Sequence, residues 1–314
     1  MPAPREHGIA MWGPPGSGKS TFLAALGIAI ASQNGRWSLT GQDPASTEML
    51  ISSTGRLAEG SFPAATAGLE MFSWVLEETR PPAVRRRWPR RDPAPGPPAR
   101  VRLRLVDPAG EIYAPEGSRY AREDLVTTLE SSRGIVFLFD PIREFLRGDA
   151  FEHTFGMLAT LASRMVDSPE RIGGRLPHHV AVCVTKFDEP RVLQTAMALD
   201  LLTADPADDL GSPTVAEDDA RELLGRLCQV SHSGNADLVV NTLLAHFLPS
   251  RVKFFITSSI GFYVAPRSGG FDFADYQNVL PGGPGAGESR VRTAVRPVNV
   301  VEPVFWLARQ LAEA

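Results

Sequence analysis

The chain has 314 residues, a length that suits one large or two small domains. Apolar residues make up 43% and charged residues 22%, and Gly and Pro together stay under a fifth, so general disorder is excluded and a full core can form without staples. A formal net charge of −4 gives the chain as a whole no reason to bind nucleic acid non-specifically, and two cysteines, Cys183 and Cys228, cannot build a disulfide framework or a multi-cysteine zinc site.

Both cysteines sit in apolar segments and are expected as small buried hydrophobes. Met1–His7 is polar, without a basic-then-apolar signal pattern. Phe22–Ala31 is about half of what a bilayer span needs. No membrane segment is expected, and a reducing, cytoplasmic compartment follows.

In chain order, Gly8–Trp12 reads as a short strand, followed by a Gly-rich turn and a helix over Lys19–Ser32. Trp37–Thr40 suggests another strand. Pro44–Glu59 suggests a helix with Asp43 as its N-cap. Leu69–Leu76 alternates weakly, as a strand does. Arg80–Arg100 holds seven arginines among seven prolines against one acid, Asp92. Its proline density forbids a regular element, so residues 78–100 are read as an exposed basic insertion at the tip of a long hairpin. It is a solvated insertion or a docking surface for an acidic partner or nucleic acid.

Val101–Asp107 alternates, with Val101, Leu103 and Leu105 facing one way and Arg102 and Arg104 the other. Gly134–Asp140 and His179–Thr185 are continuous apolar runs, as in parallel strands buried on both faces. Arg251–Ser258 is a third, less pure run. Helices are expected over Arg122–Ser131, Asp149–Val166, Ala216–Val230, Ala236–Phe247 and Val301–Ala312. Residues 189–215 read as an acidic loop, and residues 265–296 as a long mobile loop rich in Gly and Pro. Strand and helix alternate, so the fold class is α/β: three layers, a mostly parallel sheet and helices on both faces. With no repeat and no obvious linker, residues 1–314 are read as a single domain.

Gly13-Pro14-Pro15-Gly16-Ser17-Gly18-Lys19-Ser20 fits G-x-x-x-x-G-K-[ST] between a strand and a helix. The glycines let the backbone curl so that successive N–H groups point at phosphate oxygens. The helix start, through Thr21, aims its positive end at the same place. Lys19 brings an ammonium to the β- and γ-phosphates, and Ser20 a hydroxyl to Mg²⁺. Asp107-Pro-Ala-Gly110 follows a strand at the edge where α/β sheets bind ligands. Asp107 can hold Mg²⁺ through a water, and the Gly110 N–H can meet a γ-phosphate. In Thr185-Lys186-Phe187-Asp188 the carboxylate of Asp188 can accept from the N1 and N2 donors of guanine, a donor pair that adenine lacks. Lys186 would lay its stem against the base. Thr257-Ser258-Ser259 ends another strand, and the Ser259 N–H can donate to guanine O6. His178-His179 has no ligand set around it, Asp140 reads as a turn residue before Pro141, and no nucleophile–base constellation is present.

These motifs, in this order, resemble the translation-factor and Ras-like (TRAFAC) class of P-loop GTPases over roughly Ile9–Ser259 and the final helix. The wording from Ile9 through Leu26 looks like the bacterial double-GTPase families of multi-component biological-conflict systems. The resemblance implies GTP and GDP as ligands, Mg²⁺ as cofactor and a switch threonine, best met by Thr66, with Thr54 and Thr47 as alternatives. It implies catalytic roles for Lys19, Thr66, Gly110 and Glu111, and metal contacts by Ser20, Thr66 and Asp107. Two departures stand out. The intervals from Ser20 to Asp107 and from Asp188 to Thr257 exceed those of a minimal Ras-like domain, and Glu111 stands where Ras-like enzymes carry a water-orienting Gln. The implied function is a slow GTPase that switches a protein partner, in a homo- or heterodimer or a larger complex. The alternatives are a scaffold subunit with permanently bound nucleotide, and an ATPase or small-molecule kinase that uses the phosphate loop alone, against which Asp188 speaks.

Overall fold

The apolar runs pair side by side. β1 (Gly8–Trp12) lies between β4 (Arg100–Pro108) and β5 (Gly134–Phe139), parallel to both. Beyond β5 come β6 (His179–Val184) and β9 (Val252–Ile256), again parallel. Beyond β4 come β3 (Leu69–Glu78) and β2 (Trp37–Gly41), both joined antiparallel. The order is therefore β2-β3-β4-β1-β5-β6-β9, a mixed and mostly parallel sheet. The structure, a computed structural model, describes residues 8–33, 35–64, 69–79, 100–108, 119–204, 208–231, 233–266, 269–282 and 288–313.

Strands β1, β5 and β6 are buried along their whole length, so successive side chains feed two cores. On one face, Ile9, Met11, Val136, Leu138 and Cys183 pack against α1 (Lys19–Ala31), α2 (Pro44–Ala58) and α9 (Val301–Ala312). On the other, Ala10, Trp12, Phe137, Phe139 and Val182 meet α3 (Arg119–Ser131), α5 (Ala150–Arg164), α7 (Ala220–Gln229) and α8 (Leu238–His246). The result is a three-layer α/β architecture with helices on both faces, consistent with a P-loop NTPase fold. Among the described residues, no helix is long and apolar enough to cross a membrane.

Several expectations hold locally. Asp43 caps α2, accepting from the Ser46 N–H at 2.8 Å. Val101, Leu103 and Leu105 are buried, and Arg104 on the opposite face donates to Ser131 Oγ. In α9, Val304, Leu307, Ala308 and Leu311 are all buried, and both cysteines are buried and free.

Others need correction. Residues 189–215 are not a plain loop. Pro190 opens α6 (Pro190–Ala198), which buries Val192, Leu193 and Ala196, and β7 (Leu202–Ala204) pairs with β8 (Pro213–Val215). Proline tolerates the first helical turn, so the composition concealed an amphipathic helix. The next helix starts at Ala220 rather than Ala216, because residues 217–219 form a turn in which the Asp219 and Ala220 N–H groups both donate to the Ala216 carbonyl. Within residues 265–296, β10 (Val279–Leu280) pairs with β11 (Arg290–Val291), and the buried Asn278 donates to the Ile260 carbonyl. Asp140 is no simple turn residue: it caps a further helix, α4 (Pro141–Arg147). Thr47 and Thr54 lie within α2, where Thr47 Oγ1 donates to the Asp43 carbonyl and Thr54 Oγ1 packs against Gly27. That placement removes both from a switch loop. His178 and His179 are both buried, and burial lowers each imidazole to about 4.

Strands β3 and β4 are the arms of the expected hairpin. Their paired ends at Glu77 and Arg100 lie at the sheet edge opposite the carboxyl end of β1. The basic segment between them, residues 80–99, lies outside the described residues, as do Thr66, Gly110 and Glu111.

Candidate functional site

Strands β1, β4, β5, β6 and β9 all point the same way, so the segments that follow them emerge at one sheet edge. The chain crosses from one side of β1 to the other between β4 and β5, which makes this edge a topological switch point.

The loop Gly13–Gly18 leaves β1 here and feeds α1. Gly16 and Gly18 have φ of 75° and 89°, a left-handed conformation that glycine adopts without strain. Gly13 is needed for space: a Cβ there would stand 2.7 Å from Ser17 Oγ and 2.8 Å from the Leu138 carbonyl. Pro14 and Pro15 fix the outer bend, and the Ser17 N–H closes it on the Pro14 carbonyl at 3.1 Å. Gly18 is the N-cap of α1, and the Phe22 N–H returns to its carbonyl. Lys19, Ser20 and Thr21 form the first turn, with no acidic residue in it. Lys19 is buried, and its Nζ donates to the carbonyls of Gly13 and Pro14, each at 3.3 Å. An ammonium in the first turn of a helix, where the helix's positive end lies, has the chemistry to attract an anion.

After β6, Thr185 Oγ1 donates to the Phe139 carbonyl, and the Phe187 N–H donates to the Thr257 carbonyl. Phe187 turns inward against Phe262, with ring centroids 5.6 Å apart. Lys186 is held at a φ of 60°, rare for a residue with a side chain. Its Nζ lies 2.7 Å from Asp140 Oδ2. The other oxygen of Asp140 accepts from the N–H groups of Ile142 and Arg143, at 3.0 and 3.1 Å. Asp188 is buried, and its carboxyl is pushed up to about 6, by burial first, with the Ser258 hydroxyl opposing the rise. Ser258 Oγ donates to Asp188 Oδ1 and itself accepts from the Gly261 N–H at 2.8 Å. Ser259 is half-buried beside it. Each carboxylate oxygen has two lone pairs, so Asp188 keeps acceptor capacity for a pair of adjacent donors.

Asp107 lies at the carboxyl end of β4, next to β1, with its backbone paired to Glu70. Sequence reasoning missed Asp140 and Arg143. The signal was present in Asp140-Pro141, an N-cap residue followed by proline at the first helical position.

No protein-family model matches this chain, and no curated protein matches it in sequence. Solved structures resemble it weakly. One is the signal recognition particle receptor SRb-GTP/SRX complex from Chaetomium thermophilum, 12% identical, with 84% of this chain and 94% of that chain covered at a TM-score of 0.39. Another is the GTPase-like domain of Ski7 from S. cerevisiae, bound to GDP and inorganic phosphate, 14% identical, covering 81% of this chain and 43% of that one at a TM-score of 0.34. A third is the bacterial selenocysteine-specific elongation factor EF-Sec, 14% identical over 63% and 23% of the respective chains, at a TM-score of 0.28. Likenesses this weak say nothing of ligand or partner, so the site is interpreted from its own residues.

Proposed function

We propose that the chain binds guanine nucleotides and hydrolyses GTP slowly, as a nucleotide-dependent switch on a protein partner. The observation that carries this reading is the shared sheet edge of the Gly13–Ser20 loop and the buried Asp188–Ser258 pair. The first is suited to a phosphate tail and the second to a base with two edge donors. In this reading Gly13, Pro14, Pro15, Gly16, Ser17, Gly18, Lys19, Ser20 and Thr21 hold the phosphates. Lys186, Asp188, Ser258 and Ser259 hold the base.

Lys19 exchanges its two carbonyl partners for the β- and γ-phosphates and offsets negative charge as the bond to the γ-phosphorus breaks. A water attacks that phosphorus, the β-phosphate leaves with the bonding electrons, and the water's proton passes to phosphate oxygen or solvent. Thr66 and Gly110 close on the γ-phosphate, and Glu111 orients the water while adding a negative charge beside it, which keeps the rate low. The Ser20 hydroxyl and the Asp107 carboxylate are hard oxygen donors, which fits Mg²⁺. Among the described residues no group of three or more His, Cys, Asp or Glu is gathered for a metal. Bound there, Mg²⁺ would neutralise phosphate charge.

The arms of the basic hairpin leave the sheet at the edge opposite the phosphate loop. In this reading a catalytic arginine comes from a partner, or from the Arg85–Arg91 cluster of another copy. The setting is cytoplasmic, and a complex of the bacterial conflict-system kind is the partner context that the motif wording favours.

Titration calorimetry with GDP, GTP, ADP and ATP tests the reading. Guanine nucleotides are expected to bind and adenine nucleotides to bind far more weakly; equal affinities, or no uptake of any of the four, would refute it. Phosphate release is expected to be slow without a partner, and many turnovers per second would refute the slow-switch part. Nucleotide that stays on the purified chain and does not exchange would favour the scaffold instead.

A further inference from the structure

One partly buried ion cluster makes no base or phosphate contact in the scheme just given. Arg143 lies in the first turn of α4. Its Nε and Nη2 donate to the two oxygens of Asp149, at 2.9 and 2.6 Å. His153 Nε2 lies 3.3 Å from Arg143 Nη2 and 3.4 Å from Asp149 Oδ2. Arg143 Nη1 donates to the Pro15 carbonyl at 2.9 Å, across 128 residues of sequence. Its side chain is 13% exposed. A solvated ion pair would do little here. This one is a fork on a carboxylate, largely shut off from water, with its remaining arm on the phosphate loop.

The loop has a use for that arm. Its amides can face an anion only if its carbonyls face away. Pro14 and Pro15 contribute no N–H but keep their carbonyls. The carbonyls of Gly13 and Pro14 are met by Lys19, and that of Pro14 also by the Ser17 N–H. The Pro15 carbonyl is met by Arg143. A phosphate that draws Lys19 inward removes a donor from the first two. It does not compete for Arg143, which is fixed by Asp149. The Arg143 N–H also donates to Asp140, the residue that holds Lys186, so one turn braces the phosphate end and the base end together.

We propose that Arg143 is a positioning residue for the phosphate loop: anchored by Asp149, it pins the Pro15 carbonyl outward and holds the loop in the shape that receives a nucleotide β-phosphate. This inference rests on the nucleotide reading.

The test uses the full chain, GDP and three variants: Arg143→Ala, Arg143→Lys and Asp149→Asn. Calorimetry reads affinity, and phosphorus NMR at saturating GDP reads the loop's geometry at the phosphate. Arg143→Ala is expected to raise the GDP dissociation constant roughly tenfold or more, the size of one lost charged hydrogen bond. It should also move the β-phosphate resonance, with the ratio of guanine to adenine affinity unchanged. Arg143→Lys should restore neither, since an ammonium cannot fork Asp149 and reach Pro15 together. A folded Arg143→Ala chain with wild-type affinity and a wild-type β-phosphate resonance overturns the inference, and so does full rescue by lysine. If Arg143→Ala does not fold, Asp149→Asn carries the same two readouts, with a smaller shift of the same sign expected and no shift overturning the inference. A wild-type chain that takes up no nucleotide overturns the nucleotide reading and this inference with it. A wild type that binds while the folded variants match it overturns this inference alone.

Discussion

Lys186 Nζ stands 2.7 Å from Asp140 Oδ2, joining the segment after β6 to the start of α4. The lysine is held in a left-handed backbone conformation that costs free energy for any residue with a side chain. Asp140 provides the fixed point, because its other oxygen is locked onto two amides of α4. The carboxylate therefore serves at once as a helix cap and as a tether for a residue of the candidate base site.

Replacing that carboxylate separates the two roles. Asp140→Ala is expected to cost about 1–2 kcal/mol through the lost cap, and to weaken GDP binding because Lys186 loses its tether. Asp140→Asn keeps an oxygen for the cap and should recover most of the stability but not the affinity. Urea denaturation and calorimetry on the same samples check both.

Asp188 makes stability and guanine affinity move in opposite directions with pH. Its folded-state pKa, about 6, lies above the ordinary 3.8, with burial as the main cause. The folded chain therefore binds this proton more tightly than the unfolded chain. Without nucleotide, the group's contribution is fully present below about pH 4 and is lost as pH rises toward 6, by about 3 kcal/mol at most. Guanine needs the ionised carboxylate, so GDP affinity should fall about tenfold per unit below pH 6. Asp188→Asn should flatten both profiles and abolish the preference for guanine. Denaturant melts and GDP titrations between pH 4.5 and 8 read the two slopes.

Gly13→Ala places a methyl group against Ser17 Oγ and the Leu138 backbone carbonyl. The hydroxyl can turn away, but the carbonyl belongs to β5 and cannot. A stability loss of about 1–3 kcal/mol is expected, together with loss of nucleotide binding as the loop shifts. Gly55→Ala, where an added Cβ meets nothing, is the control and should leave binding intact.

Lys19→Ala removes a buried ammonium that has two carbonyl partners. GTP affinity should drop by about 100-fold or more, the scale of two charged hydrogen bonds. The melting temperature without nucleotide is expected to change far less, since the Pro14 carbonyl keeps the Ser17 N–H as a donor when the ammonium is gone. A thermal-shift series with and without GTP checks this.

Glu111→Gln removes the extra charge beside the proposed γ-phosphate and is expected to speed GTP hydrolysis. Thr66→Ala should weaken GTP binding with Mg²⁺ far more than GDP binding. Single-turnover phosphate release reads the first, and paired GTP and GDP titrations the second.

Much of this arrangement was legible in the sequence because the relevant signals are local. The continuous apolar runs at Gly134 and His179 announce strands buried on both faces. The Gly13–Ser20 glycines mark a tight turn from strand to helix, and Asp43 before Pro44 announces a capped helix. The failures are instructive in the same terms. Residues 189–215 read as a loop and Asp140 as a turn residue, yet Pro190 and Pro141 each sit in the first turn of a helix, where a missing N–H costs nothing. The Arg143 contact to Pro15 spans 128 residues and has no local signature at all. Asp140 carried a local signal for its cap but none for its ion pair, since the sheet alone brings β5 and β6 side by side.

The ladder between β3 and β4 runs through nine rungs, from Leu69 opposite Pro108 to Glu77 opposite Arg100. One end of this ribbon meets the two stretches of chain, before Leu69 and after Pro108, that carry Thr66 and Gly110. The other end carries the roots of the arginine-rich hairpin. A displacement at the first end cannot be absorbed rung by rung, because slipping the register by one residue would turn Phe72, Trp74 and Leu76 out of the core. The nine rungs are thus bound to shift together or not at all.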